Sequence, residues 1–272
     1  MSGFSPVERT SVATAVFEQI AARILDGTLP AGDRLPPERA LTEEFGVNRQ
    51  ALREALQRLD QLGLVEIRHG GATRVRDFRR TAGLDLLPRL FLGADGGIDA
   101  GVVRSVMEMR TAIGADAAAL AAVRAPSGVR AGLRAVLQEL ESLVETHGNA
   151  QGNAQNDARG DTQGDDAGAA EPRNGDVAGL AAIDVRFWDL LVEGAGNVCY
   201  RLSLNVLRDA YRPVESLVDL LVLDERRDVP AHRELVAAVE DGDGERARAR
   251  AAALLDQGRA AVLAHFTEED PG

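Results

Sequence analysis

Apolar residues recur at every fourth position near the start of the chain. One helical face carries Val12, Val16, Ile20 and Ile24. Gly27 follows this run and suits a helix end. The spacing predicts an amphipathic helix over residues 10–26 that packs behind the next elements.

Two shorter helices are predicted next, joined by a turn. Pro36 and Pro37 suit the first turn of a helix, where a missing N–H does no harm. Gly46 ends that helix because glycine readily adopts the left-handed conformation of a helix stop. Asn48 suits the N-cap of a second helix over about residues 49–62. Two helices joined by a short turn that contains glycine predict a helix-turn-helix.

The second of these helices has two different faces. Its apolar face carries Leu52, Ala55, Leu56 and Leu59. Its polar face carries Arg49, Gln50, Arg53 and Gln57. Arg and Gln side chains read base edges in the major groove, and the N-terminal end of a recognition helix enters that groove. The polar face therefore indicates DNA recognition.

After Gly63 the apolar residues alternate with polar ones, and this change from a helical period to a period of two predicts a β-hairpin. Val65 and Ile67 alternate with polar residues. Residues 69–72 (HGGA) can turn the chain, and residues 73–76 can return as a partner strand. This hairpin is the wing of a winged helix-turn-helix, with His69 at its tip.

The remainder of the chain has helical periodicity and few strand signals. Helices are predicted near residues 99–123, 127–147, 177–194, 198–223, 229–241 and 244–266. Together they favour an antiparallel all-α bundle, which makes the fold class mainly α. The segment from about 148 to 176 has much Gly, Asn, Gln and Asp and no large apolar residue, so we predict a disordered insertion. The predicted organisation is a DNA-binding domain (1–78), a linker (79–98) and a helical domain (99–272).

The net charge is distributed unevenly along the chain. The chain carries −12 overall. Residues 1–80 hold 12 Arg against 11 Asp and Glu, a net +1, which leaves −13 for the rest. A local basic surface is sufficient for DNA, because cellular salt screens charge beyond about 8–10 Å. The sequence has no run of membrane-spanning length and no signal-peptide pattern, so we expect a cytoplasmic, nucleoid-associated protein without a membrane partner.

The stretch GDRLPPERALTEEFGVNRQALREALQRLDQLGLV resembles the winged helix of the GntR family of bacterial transcription regulators. The continuation IRHGGATRVRDFRRTAGLDLL is similar to the FadR subfamily, whose members respond to fatty acids. The resemblance implies that the DNA contacts come from Arg39, Asn48, Arg49, Gln50, Ala51, Arg53, His69 and Gly70. FadR has threonines where this chain has Asn48, Gln50 and Ala51, so we expect a different preferred operator.

The same resemblance extends to the stretch IDVRFWDLLVEGAGNVCYRLSLNVLRDAYR and to Glu108–Arg110. It implies a helical domain that binds a long-chain acyl-CoA. The implied ligand residues are Arg110, Asp184, Tyr200, Asn205 and Tyr211. Each also has an ordinary structural reading, in which Arg110 pairs with Glu108 or Asp184 and the tyrosines are half-buried.

Related regulators hold a metal in the helical domain through one Asp and three His. Asp184 and His232 fit two of these places, but Trp188 and Leu254 occupy the other two. Zinc and similar metals need three or four N, O or S ligands, so we predict no metal and no cofactor. His232 follows Pro230 at the start of a helix and is expected at the surface.

The resemblance implies a homodimeric transcription regulator of fatty-acid metabolism that binds a palindromic operator and is released by an acyl-CoA or a related lipid. One alternative is a GntR-type regulator that answers to a small carboxylic acid, such as a sugar acid, lactate or pyruvate. Another is a helical enzyme or interaction module whose N-terminal domain docks a protein. The sequence contains no GxSxG, P-loop or HExxH motif, so we predict that the protein is not an enzyme.

Overall fold

The computed structural model describes residues 12–68, 71–91, 97–158 and 174–268. The chain divides into two compact units, Met1–Asp99 and Ala100–Gly272. The predicted mainly α fold, with a winged helix-turn-helix followed by a helical domain, is confirmed. Each unit has its own hydrophobic core.

Unit 1 is a winged helix-turn-helix. Its elements are α1 (Val12–Leu25), α2 (Glu38–Phe45), α3 (Arg49–Gln61), β1 (Val65–Glu66), β2 (Arg74–Val75), α4 (Phe78–Thr81), a 3-10 turn (Leu84–Leu86) and α5 (Leu87–Leu90). The predicted apolar faces of α1 and α3 meet in the core. Phe17, Leu52 and Leu59 are fully buried there.

The wing is a small antiparallel sheet. Val65 pairs with Val75, and Glu66 pairs with Arg74. An isolated bridge between Arg34 and Arg74 adds the segment before α2 to this hairpin. The predicted wing tip at His69 and Gly70 lies outside the described residues.

The residues that were predicted to start the linker pack onto unit 1. The Thr81 hydroxyl donates a hydrogen bond of 2.7 Å to the carbonyl of Gly63. Gly63 has a φ of +71°, and a Cβ there would lie 2.5 Å from the Thr81 carbonyl oxygen. Leu86 is buried in the core of unit 1. Unit 1 therefore includes α4 and the turn after it, which extend beyond the predicted domain end at residue 78.

Unit 2 is a helical bundle. Its elements are α6 (Ala100–Arg124), α7 (Ser127–Ala158), α8 (Asn174–Ala195), α9 (Val198–Tyr211), a 3-10 turn (Arg212–Val214), α10 (Glu215–Leu221), α11 (Leu223–Arg227), α12 (Val229–Glu240) and α13 (Gly244–Glu268). Helix α6 packs against α8 and α13 through buried alanines. Small side chains on α6 let its neighbours approach closely: a Cβ on Gly114 would lie 2.5 Å from Leu255 Cδ1.

Three helix boundaries in unit 2 differ from the prediction. Helix α7 continues to Ala158 and α8 begins at Asn174, although the composition predicted disorder over about 148–176. Extension of an existing helix needs no new nucleus, which favours continuation of α7 despite its poor helix formers. Residues 159–173 lie outside the described residues. The predicted helix 198–223 is broken after Tyr211, because Pro213 has no N–H to donate to the preceding turn.

Candidate DNA interface and effector cavity

The turn between α2 and α3 sets the position of α3, the predicted recognition helix. Gly46 adopts the left-handed conformation, with φ of +64°. The Asn48 side chain accepts a hydrogen bond of 2.9 Å from the backbone N–H of Ala51, which makes Asn48 the N-cap of α3. The cap positions Arg49 and Gln50 at the exposed start of the helix, while Leu52 turns into the core.

Two of the predicted DNA-binding arginines are ion-paired on the protein surface. Arg39 Nε donates to Glu43 Oε1 at 3.0 Å, within α2. Arg53 Nε donates to Glu38 Oε2 at 3.0 Å, from α3 to α2. Both arginine side chains remain mainly exposed, so their guanidinium groups face solvent. The structure thus brings Arg39, Arg49 and Arg53 to the exposed side of α2 and α3.

A cavity of about 580 Å³ lies inside unit 2. Helices α6, α8, α9, α10 and α13 contribute to its wall, together with Val222 and Arg226. Apolar lining residues include Met107, Ile113, Trp188, Leu207, Val218 and Leu255. This volume is within the range of about 300–1,000 Å³ that is usual for small-molecule sites. The cavity is therefore a candidate effector site.

Arg110 lines this cavity, but its guanidinium is already paired. It forms a bidentate ion pair with Glu225, with contacts of 2.5 and 3.0 Å. The predicted structural partners were Glu108 or Asp184, and the actual partner lies on α11. Burial lowers the pKa of Arg110, but the opposed charge of Glu225 outweighs it and raises that pKa, so the guanidinium stays charged. Burial raises the pKa of Glu225 above its ordinary range, against the opposing effect of Arg110.

Gly258 makes room for this pair. A Cβ at that position would lie 1.9 Å from Glu225 Oε2. Any larger residue on this turn of α13 would displace the carboxylate. The glycine therefore helps to hold Glu225 against Arg110.

Asp184 also lines the cavity and is buried. It accepts a hydrogen bond of 2.9 Å from Trp188 Nε1 and lies 3.4 Å from Arg226 Nε. Arg226 in turn contacts Asp219 at 2.8 Å. Sequence reasoning missed Asp219, Glu225 and Arg226, because nothing in the local run DLLVLDERRD (residues 219–228) shows which acids and arginines face inward.

The two predicted tyrosines differ in position. Tyr211 lines the cavity, with its hydroxyl 3.9 Å from Met107 Sδ. Burial raises the pKa of Tyr211 to about 12, so the phenol is uncharged at neutral pH. Tyr200 lies outside the cavity lining and donates a hydrogen bond of 2.7 Å to Asp116. Asn205 is exposed on α9 and is also absent from the lining.

His232 is buried, and the expectation of a surface position was wrong. Its side chain is 2% exposed, and its ring meets Phe187 edge-on with centroids 4.9 Å apart. Nδ1 lies 2.8 Å from the Asp228 carbonyl oxygen. Asp228 caps α12 through the N–H of Ala231, so His232 lies in the first turn of this helix.

The two positions that lack metal ligands are filled by core residues. Trp188 and Leu254 are both buried. Within the part of the chain that the structure describes, no group of three or more His, Cys, Asp or Glu residues could hold a metal ion. Asp184 instead binds a tryptophan N–H and an arginine.

The comparisons with known proteins agree with this architecture. Residues 12–75 match the gntR family of bacterial regulatory proteins, and residues 165–257 match the FCD domain. The HTH-type transcriptional regulator Mce2R of Mycobacterium tuberculosis is 38% identical over 259 residues, which cover 95% of each chain. This chain belongs to the GntR family. It is a ligand-responsive transcriptional regulator with an FCD effector-binding domain, and its relatives are regulators and not enzymes.

Two further similarities support weaker conclusions, one because of its short coverage and the other because of its low sequence identity. A fatty acid metabolism regulator protein of Shewanella baltica is 45% identical over 75 residues, which cover 28% of this chain and 32% of that protein. A solved structure of Lar, which controls the Listeria monocytogenes agr system, is 17% identical, covers 94% of this chain and 98% of its own, and has a TM-score of 0.50. The latter shows a shared fold alone. Among the described residues, no helix of this GntR regulator is long and apolar enough to span a bilayer.

Proposed function

We propose that this protein is a homodimeric regulator of the FadR type that leaves its operator when a long-chain acyl-CoA or a related lipid binds in unit 2. The observation that carries the proposal is the large, mainly apolar cavity whose arginines are already ion-paired. The similarity to a fatty acid metabolism regulator covers only the DNA-binding part, so the argument for a lipid rests on the cavity.

The charges around the cavity favour an uncharged acyl chain inside it. Arg110 pairs with Glu225, and Arg226 pairs with Asp184 and Asp219. The other two lining arginines are paired as well: Arg186 with Glu139 and Arg208 with Asp189. A buried carboxylate is costly without an available cation. A small carboxylate in the cavity would compete with these acidic side chains for the buried guanidinium groups of Arg110 and Arg226, whereas an acyl chain needs only apolar surface.

DNA recognition follows from unit 1. Arg39, Arg49 and Arg53, with Asn48, Gln50 and Ala51 beside them, are proposed to contact the major groove, and His69 and Gly70 the minor groove. A recognition helix reads one half-site, and a two-fold dimer reads a palindrome. In this proposal acyl-CoA binding favours a state of the dimer in which the distance between the two recognition helices no longer matches the half-site spacing. Because its target is the chromosome, the proposal places the protein in the cytoplasm at the nucleoid.

The test is fluorescence anisotropy of a duplex from the promoter of the protein's own gene, at fixed salt. Long-chain acyl-CoA at micromolar concentration should release the duplex, whereas free CoA, lactate, pyruvate and gluconate should not. Release by one of the small acids alone would favour the carboxylic-acid alternative. Tight DNA binding that no acyl-CoA disturbs would contradict the lipid proposal.

A cavity-filling variant makes the test specific to this site. Ala181 lines the cavity, and Ala181→Trp should occupy part of its volume. Ala249→Trp places the same side chain on the exposed surface of α13 and serves as the control. We expect Ala181→Trp to bind the duplex but to resist release, and Ala249→Trp to behave as the wild type. Equal release of both variants would place the effector elsewhere.

A further inference from the structure

The exposed side of α2 and α3 contains a repeated arrangement of arginine and glutamate. Both hydrogen bonds, from Arg39 to Glu43 and from Arg53 to Glu38, run through Nε, and each is 3.0 Å long. The hydrogen bond through Nε restrains each guanidinium group and leaves its two terminal nitrogens directed to solvent. Both glutamates belong to α2, so one helix orients arginines on α2 and on α3.

A bond through Nε has a consequence for base reading. Arginine recognises guanine by two parallel hydrogen bonds to O6 and N7. The two terminal nitrogens of the guanidinium can form this fork while Nε remains on the glutamate. The arginine then loses less rotamer freedom on binding, because its side chain is ordered beforehand. The glutamate charge also repels phosphate, which weakens binding that depends on the backbone alone.

We propose that Glu38 and Glu43 are positioning residues that raise the preference of this regulator for its operator over other DNA. They act through Arg53 and Arg39 and need no contact with a base. The inference rests on the proposed assignment of these two arginines to DNA contacts. It concerns the acidic residues of α2, to which the sequence pattern gave no role.

The decisive comparison is between Glu38→Gln and Glu38→Ala. Both variants lose the charge, so both should bind random duplex more tightly than the wild type does. Only Gln retains an oxygen that can accept from Arg53 Nε. The probes are the duplex that the wild type selects from a randomised pool and a scrambled duplex of equal length. We expect the affinity ratio of the two duplexes to be roughly threefold lower for Glu38→Ala than for Glu38→Gln, as suits an exposed pair.

Two controls separate positioning from charge and from folding. Glu44 is an exposed neighbour on the same helix, so Glu44→Gln and Glu44→Ala should have equal ratios. In an Arg53→Ala background the difference between Glu38→Gln and Glu38→Ala should vanish, because Glu38 then has no arginine to orient. Urea unfolding of each variant shows that it is folded.

Three results would overturn the proposal. The first is an equal ratio for Glu38→Gln and Glu38→Ala. The second is a difference that persists when Arg53 is Ala. The third is a wild-type protein that selects no preferred duplex, which would also remove the assignment of Arg39 and Arg53 on which the proposal rests. If acyl-CoA fails to release the DNA, that result contradicts only the lipid proposal and does not bear on the role of Glu38 and Glu43.

Discussion

At the scale of single residues, His232 is a buried titratable group in the core of unit 2. Burial lowers its pKa below the ordinary value of 6.5, although the nearby carbonyl of Asp228 and the charge of Asp184 oppose this. The unfolded chain takes up a proton near that value, whereas the folded chain resists it. The stability that His232 contributes is therefore fully present above about pH 6.5 and is lost as the pH falls toward the lower folded pKa.

His232→Phe should reduce this pH dependence. Phe preserves an aromatic contact with Phe187 and cannot take up a proton. Urea unfolding at about pH 7.5 and about pH 5.5 measures the change, since His titrates between them. We expect the free energy of unfolding to fall more for the wild type than for the variant when the pH is lowered from about 7.5 to about 5.5. The carboxylates are the same in both proteins, so their titration does not contribute to the difference. Equal losses would show that the imidazole is not held neutral by the fold.

Arg110 and Glu225 illustrate a second residue-scale effect. Their ion pair is buried, with the Glu225 side chain 0% exposed. Removing one partner of such a pair is strongly destabilising, because it leaves an uncompensated charge. The pair is therefore a structural feature of the cavity wall, and an effector gains little by contact with Arg110 unless it replaces Glu225.

At the scale of elements, the turn between α2 and α3 is specified by local chemistry. Gly46 ends α2 and Asn48 begins α3 two residues later. The cap satisfies the N–H of Ala51, which would otherwise have no partner in the helix. The same residues place the start of α3, where Arg49 and Gln50 are exposed.

Asn48→Ala should destabilise unit 1 by about 1 kcal/mol, the usual effect of a lost N-cap. Asn48→Ser retains a side-chain oxygen that can accept from the same N–H, so it should recover most of the loss. Chemical denaturation followed by circular dichroism measures both variants. If Ala and Ser proved equally stable, the hydrogen bond to Ala51 would contribute nothing to the helix.

At the scale of the whole molecule, the division into two units predicts separable functions. The proposed DNA contacts all belong to unit 1, and the cavity belongs to unit 2. Arg49→Ala should weaken operator binding by about 1–3 kcal/mol, as expected for an arginine that reads a base. Binding of acyl-CoA to the same variant, measured by titration calorimetry without DNA, should remain at the wild-type affinity.

Arg104→Ala is the matched control, because Arg104 is an exposed arginine of unit 2. It removes the same charge and should leave operator binding unchanged. An equal loss for Arg49→Ala and Arg104→Ala would mean that net charge, and not contact at the start of α3, determines the affinity.

The sequence by itself determined the first helix, the helix-turn-helix and the strands of the wing in unit 1. The apolar spacing on α1 and α3, the glycine stop at Gly46 and the cap at Asn48 act among residues within a few positions of one another. Such features are readable along the chain because helix geometry and capping depend on close neighbours. The resemblance in these stretches also predicted the family that the comparisons confirm.

Only the tertiary structure decided which side chains meet. Glu225 lies 115 positions from Arg110, and Glu38 lies 15 from Arg53. Tyr200 binds Asp116 and lies away from the cavity, and His232 is buried although its place after Pro230 suggested the surface. These outcomes depend on how helices pack across the bundle, and sequence periodicity gives the inward face of each helix but not its partner. The position and the two faces of α3 could thus be predicted from the sequence, whereas the cavity and its ion pairs could be seen only in the fold.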